Sequence, residues 1–299
     1  MKFCICFFGV ISMSLQYTID SINKNILDVL TKNNIEYDVY MHNNIVNNIG
    51  KIQINNTNYK LLKPNKYIEE DQILIDTKIQ KYLHNVCDKY VNAIREIYSV
   101  KCVTELWEND TEYDLYLYLR PDLLYTNEID ISHILENINK ENVLFTPNWH
   151  KWGGLNDRIY FGKKDVMTKI GKRIDLIPTI LKTKYHSEQF LKIAVDHYAI
   201  DTIDISLRGD RIRSCGTNHE NACHAYKIEK MIRDKELKEK KREEKLKIKK
   251  QLKNHRNKIR NIKKKLPSRL NITKYKNLKK IIIKKRMKIK HLNKMINDK

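Results

Sequence analysis

Paired cysteines are missing from this chain. Its six cysteines, Cys4, Cys6, Cys87, Cys102, Cys215 and Cys223, form no C-x-x-C pair and no dense framework. That excludes a small secreted domain held by disulfides and leaves free thiols in a reducing, cytoplasmic compartment as the expectation. No segment reaches 18 consecutive apolar residues, so no transmembrane span is expected. The G-x-x-x-x-G-K-[ST], H-E-x-x-H and G-x-S-x-G patterns are all absent, and with them the sequence signs of a P-loop, a zincin and a nucleophile elbow. Glycine and proline are scarce, at 8 and 5. Ile, Lys and Asn are heavily used instead, a bias of A/T-rich codons that says little about chemistry.

What is abundant is positive charge, and it is confined to one end. Residues 227–299 hold 31 Lys and Arg against 7 Asp and Glu, while residues 1–226 hold 27 against 29. The body is near-neutral and the tail carries a net +24. Only the tail supports contact with anionic partners, and its Lys richness points to charge-driven, non-specific polyanion binding. Tyr275 is its one aromatic residue, which gives base stacking little support. The boundary is therefore set between 1–226, a globular domain, and 227–299, a Lys-rich helical or disordered tail.

Along the body, residues 3–13 (FCICFFGVISM) form an apolar run. It reads as a signal-peptide core or, better, as a buried first strand of a parallel sheet, apolar on both faces. Residues 17–34 carry helical spacing and 35–41 a second strand, a βαβ opening. The Asn-rich stretch 43–75 reads as an insertion or two short strands, and 77–108 as one or two helices. Strands follow at 113–119, 143–145, 159–161 and 200–207, with helices at 129–138, 164–173 and 187–198, the last with Ser187 as N-cap. This alternation predicts an α/β sandwich with a mixed, mostly parallel sheet.

Four segments carry residues fit for chemistry. In YDLYLYLRPDLLY (113–125) a buried strand ends in a Pro-constrained turn bearing Asp122. Ligands of open α/β sheets bind beyond strand C-termini, and a carboxylate there can hold a divalent cation on a diphosphate. In FTPNWHKWGGLNDRIYFG (145–162), Gly153 and Gly154 allow close backbone approach, Trp149 and Trp152 offer sugar-stacking surface, and Asn156, Asp157 and Arg158 offer hydrogen-bonding groups. In KYHSEQFLK (184–192), Glu188 sits in the first turn of a helix. In SLRGDRIRSCG (206–216), Arg208, Arg211 and Arg213 can neutralise phosphates. Each also has a plain structural reading, as turn, packed loop, cap or solvated basic loop. Cys215, His219, Cys223 and His224 are zinc-ligand types at a spacing that fits no common finger. Asn55, Asn109 and Asn271 open glycosylation sequons that arise easily by chance.

In order and spacing over about 1–216, these segments resemble a family of GT-A-type glycosyltransferase-like proteins found in large DNA viruses. The resemblance rests on Gly9 closing the first strand, Arg120-Pro121-Asp122, the block from Gly154 to Gly162, Ser187-Glu188, and Arg208 to Arg213. It implies a Rossmann-like, three-layer GT-A fold that moves a sugar from a UDP- or GDP-linked donor to a glycan or protein acceptor. It also implies a donor site of Gly9, Arg120, Asp122, Arg208, Arg211 and Arg213, and an acceptor site of Trp149, Trp152, Gly154, Asn156 and Arg158. Asp157 or Glu188 would be the catalytic carboxylate, and Asp122 the ligand of Mn²⁺ or Mg²⁺. Arg120-Pro121-Asp122 stands in the place of the D-x-D metal motif, with Arg120 in the first acidic position, and no Arg comes shortly after Gly9, where the chain reads VISMSL. On this reading, Asp122→Asn loses donor affinity with little loss of stability. The alternative is a non-catalytic GT-A-fold protein docking on polyanions through its tail.

Overall fold

The computed structural model describes residues 1–83, 90–180 and 186–218, with scattered helical positions between 239 and 283. The chain divides into two units, Met1–Ala222 and Cys223–Lys299. The expected boundary at 226/227 lies outside the described residues, as do His219, Cys223, His224 and Asn271. Among the described residues no helix is long and apolar enough to cross a membrane.

The first unit opens with β1 (Lys2–Gly9), then α1 (Leu15–Ile22), which runs through a π-helical turn into α2 (Asp28–Lys32). There follow β2 (Glu36–Ile45), a small hairpin of β3 (Asn48–Ile49) and β4 (Ile52–Gln53), β5 (Lys66–Asp71), α3 (Gln72–Ile79) and α4 (Val91–Trp107). Next are β6 (Leu115–Leu119), β7 (Leu123–Tyr125), α5 (Ile131–Asn137), β8 (Val143–Pro147), β9 (Ile159–Gly162), α6 (Lys164–Gly171) and α7 (Ile177–Ile180). The unit ends with α8 (Ser187–His197), β10 (Asp201–Ile205) and β11 (Gly209–Arg211).

Seven strands make one sheet in the order β10-β8-β9-β6-β1-β2-β5, and every pairing is parallel except those of β9. This is the mixed, mostly parallel α/β sheet that the sequence predicts. The alternation within the strands builds its two faces. Phe3, Ile5 and Phe7 of β1 and Leu115, Leu117 and Leu119 of β6 pack with Leu15, Ile22, Leu30 and Ile134 from α1, α2 and α5. Cys4, Cys6 and Phe8, with Tyr116 and Tyr118, pack on the other face against Val103, Trp107, Met167 and Leu191 from α4, α6 and α8. Each fully buried Leu or Phe contributes roughly 1.5–3 kcal/mol by leaving water. The buried tyrosines keep their polar tips satisfied: Tyr118 Oη lies 2.7 Å from Thr104 Oγ1 and accepts from Trp107 Nε1 at 2.9 Å.

One local expectation is extended and another changes. The stretch 43–75 holds the expected pair of short strands, β3 and β4, and in addition a mostly exposed edge strand of the main sheet, β5. The N-cap of α8 is His186, not Ser187. His186 has extended backbone and its N–H donates to Gln189 Oε1 at 3.2 Å, whereas Ser187 is already helical.

Candidate functional site

The sheet brings four distant segments to one edge. β1, β2 and β6 run parallel and end together. A helix that leads into such a strand must start at the edge where the strands end, so the first turns of α4 and α8 lie there too. β9 is antiparallel to β6, with Leu119 opposite Ile159, so the residues before β9 lie beside those after β6. Arg120 N–H donates to the Arg158 carbonyl at 3.0 Å across that junction. β11 pairs antiparallel with β7, Arg211 opposite Leu123, and returns the last arginines to the turn that holds Asp122.

A cavity of about 360 Å³ opens at this edge, where the strand order reverses between β1 and β6. Its wall includes Gly9, Asn44, Arg95, Glu96, Arg120, Asp122, Arg211 and Arg213. Gly9 has φ +89°, a conformation natural to glycine, and turns the chain off the end of β1. Its N–H donates to Ser99 Oγ at 2.8 Å. Five of the six expected donor-site residues therefore line one cavity. Arg208 does not line it; it is exposed beside β7, with its N–H donating to Asn127 Oδ1 at 2.8 Å.

Asp122 is 2% exposed and bound by two guanidiniums. Arg120 grips both carboxylate oxygens, Nε to Oδ1 and Nη2 to Oδ2, each at 2.8 Å, and Arg211 Nε donates to Oδ2 at 2.8 Å. Burial alone would raise the carboxyl pKa, but the two arginines outweigh it and hold Asp122 far below the usual carboxylate range. Arg120 spends its remaining terminal nitrogen on Glu96 Oε2 at 2.7 Å. Glu96 Oε1 is buried with no hydrogen-bond partner among the described residues, as is Asn44 Oδ1 on the same cavity. Burial pushes the Glu96 carboxyl up, against the pull of Arg120. Neither Glu96, Arg95 nor Asn44 stood out in the sequence, because a charged residue in a helix or a strand-end Asn carries no motif.

A divalent cation does not fit on Asp122. Mg²⁺ and Mn²⁺ take oxygen ligands. Three of about four lone-pair positions on Asp122 already accept from guanidiniums, so the side chain expected to hold the metal is neutralised by arginine. Among the described residues, one other group brings metal-ligand types together: the donor atoms of His42, Glu70 and Cys102 lie within 4.8 Å of one another. Hydrogen bonds already occupy it. His42 Nδ1 is 2.8 Å from Ser99 Oγ, His42 Nε2 is 3.2 Å from Glu70 Oε2, and the Lys78 ammonium sits on Glu70. Burial pushes the Cys102 thiol up to about 11, away from a thiolate.

Neither expected catalytic carboxylate lines this cavity: Asp157 precedes Arg158, whose carbonyl accepts from Arg120 N–H, and Glu188 lies in the first turn of α8. Asp157 is 3% exposed. Glu188, half-buried at the start of α8, has its carboxyl pKa raised, first by burial and then by the charge of Asp157. The same Asp157 charge acts on Glu96 and Arg120, which joins this pair electrostatically to the cavity. Arg158 stands over the Trp149 ring at 5.8 Å.

The expected acceptor residues divide. Trp152 is 65% exposed, in a loop where His150, Trp152 and Gly153 all have positive φ, a conformation that costs energy for the two non-glycines. Trp149 is a packing residue whose Nε1 donates to the Leu207 carbonyl at 2.9 Å. Asn156 is fully buried and spent on the loop itself: Oδ1 accepts from the Arg158 and Ile159 N–H groups, and Nδ2 donates to the Trp149 carbonyl. Gly154 serves close packing rather than ligand approach, since a Cβ there would lie 2.1 Å from the Glu188 carbonyl oxygen. Cys215 is exposed, with Sγ 3.0 Å from Thr217 Oγ1.

Fold and site together define an α/β protein with an arginine-lined cavity at its sheet's switch point. No family model matches the chain, and no curated protein matches it in sequence. Among solved structures, 68% of the chain is similar to 85% of mouse xyloside xylosyltransferase 1 in its apo form, at 8% identity and a TM-score of 0.41. The same share is similar to 45% of the glycosyltransferase GlyE of Streptococcus pneumoniae TIGR4 in its apo form, at 14% identity and a TM-score of 0.38. It is also similar to 81% of a glycosyltransferase involved in glycosylation of the major capsid of PBCV-1, at 12% identity and a TM-score of 0.36. At these scores the likeness decides nothing about substrate or reaction.

Proposed function

We propose that the first unit transfers a sugar from a nucleotide-diphosphate donor to a hydroxyl of a glycan or protein acceptor. The observation that carries this reading is the convergence of Gly9, Arg120, Asp122, Arg211 and Arg213 on one cavity, with the charge of Asp157 acting both on Arg120 there and on Glu188. An arginine-lined cavity at the switch point suits a diphosphate, and a carboxylate pushed above its usual range suits a general base. Glu188 takes the proton of the acceptor hydroxyl as that oxygen bonds to the anomeric carbon. The bond from that carbon to the diphosphate breaks, and its electron pair leaves on the phosphate oxygen, where Arg211 and Arg213 stabilise the charge. Burial, and after it the charge of Asp157, raises the basicity of Glu188, and Trp152 offers a stacking face for a sugar.

The net +24 of residues 227–299 favours a second reading, a binding protein that docks on polyanions without turnover. Incubating the full chain with UDP- and GDP-linked sugars separates the two. Release of UDP or GDP that depends on Glu188 supports transfer. Tight polyanion binding with no release supports docking.

A further inference from the structure

We propose that the cavity neutralises the donor's diphosphate with arginine side chains, Arg211 and Arg213 foremost, and without a divalent cation. This rests on the donor reading above and specifies how that site holds its ligand. Four arginines, Arg95, Arg120, Arg211 and Arg213, line the cavity against two carboxylates, Glu96 and Asp122, and Arg95 is itself paired with Asp76 through Nε and Nη2 at 2.6 Å, which leaves a net of +1. A positive wall favours a diphosphate and opposes a second positive guest.

Asp122 is committed through both oxygens, and Glu96 through one of its two. Arg120 holds Asp122 through both oxygens and Glu96 through Oε2, so one guanidinium spans the two side chains that a metal would need. Recruiting Asp122 to an ion would strip Arg120 of its bidentate partner, at a side-chain exposure of 13%, and a buried charge without its partner is strongly unfavourable. Asp122 is thus a positioning residue: it fixes Arg120 and orients Arg211. A guanidinium has five N–H donors, and the Asp122 contact uses one of Arg211's. The rest form a planar fork suited to phosphate oxygens, at a side chain 25% exposed on the cavity wall.

The test is calorimetric titration of the full chain with UDP, GDP and inorganic pyrophosphate, in EDTA and in Mn²⁺ at matched ionic strength. The expected result is a Kd for at least one nucleotide that is the same in both buffers, and no protein-bound Mn²⁺ signal by electron paramagnetic resonance with that nucleotide present. Arg211→Gln should weaken binding about tenfold in either buffer, the scale of one hydrogen bond to a charged group. Arg213→Gln gives a second reading of the same effect should the first variant fold poorly. Binding at least tenfold tighter with Mn²⁺, or bound Mn²⁺ displaced by Asp122→Asn, would overturn the metal-free site while leaving the donor reading intact. Full affinity in both arginine variants would also overturn it. Absence of binding in both buffers would sink the donor reading itself, and this inference with it.

Discussion

Asp122 holds two guanidiniums in a place that water barely reaches, so its charge supports the fold as well as the cavity. Asp122→Asn removes that charge and leaves Arg120 half-compensated. The expected cost is about 3–5 kcal/mol, the range for breaking a buried ion pair. The three tryptophans, Trp107, Trp149 and Trp152, all lie in the first unit, so their fluorescence in a denaturant titration reads this cost there. A loss under about 1 kcal/mol, the range of an exposed pair, would contradict it. This reverses the small stability effect expected from the sequence, where Asp122 reads as a turn residue. The sequence places Asp122 after a buried strand, but its partner Arg211 stands 89 residues away, and no local pattern announces that pairing. Because the folded carboxyl lies below its unfolded value of about 3.9, its stabilisation is complete above that pH and is lost as pH falls further. Glu188 behaves oppositely. Its raised pKa places the acid limb of the rate–pH profile above the ordinary glutamate value of about 4.3. Asp157→Asn removes the like charge and should move that limb to lower pH. An unmoved limb would show that the charge of Asp157 does not tune Glu188.

At the scale of elements, β9 decides the geometry. Running against its neighbours, it ends where β6 begins and begins where β6 ends, which carries Asp157 and Arg158 to the cavity edge. The sequence shows β9 as a strand but not its direction, since IYFG is buried on both faces and reads alike either way. The central strands were legible for the same reason that they are stable: LYLYL alternates leucines toward one core and tyrosines toward the other. β5 was not, because only Glu70 in it is buried. Loop 148–158 misled in part, as Asn156 is spent on the loop itself and Gly154 on close packing against α8. That yields an element-level expectation. Gly154→Ala drives a methyl into the Glu188 backbone and should cost roughly 1–3 kcal/mol, typical of overpacking, while shifting the α8 start. Hydrogen exchange of α8 amides would register the shift as lost protection confined to its first turns. An unchanged exchange pattern and melting temperature would contradict the close contact.

For the whole molecule, the division of charge implies a division of labour. Residues 1–226 contain the complete sheet, so that fragment should melt cooperatively alone. Loss of a cooperative transition on removing 227–299 would show that the second unit belongs to the core. The tail, at net +24, should bind DNA, RNA and heparin alike, with affinity falling steeply as salt rises because counterion release supplies the free energy. A weak salt slope or strong preference for one sequence would instead indicate specific readout. The central claim is that the cavity of the first unit binds a nucleotide-linked sugar for transfer. Its most direct test is the rate of UDP or GDP release from UDP- and GDP-sugars by the full chain, compared with Glu188→Gln and Arg211→Gln. The account expects release with at least one donor and a fall of about 100-fold or more for Glu188→Gln, the usual scale of a lost general base. No release from any donor, or release undiminished in both variants, would contradict it.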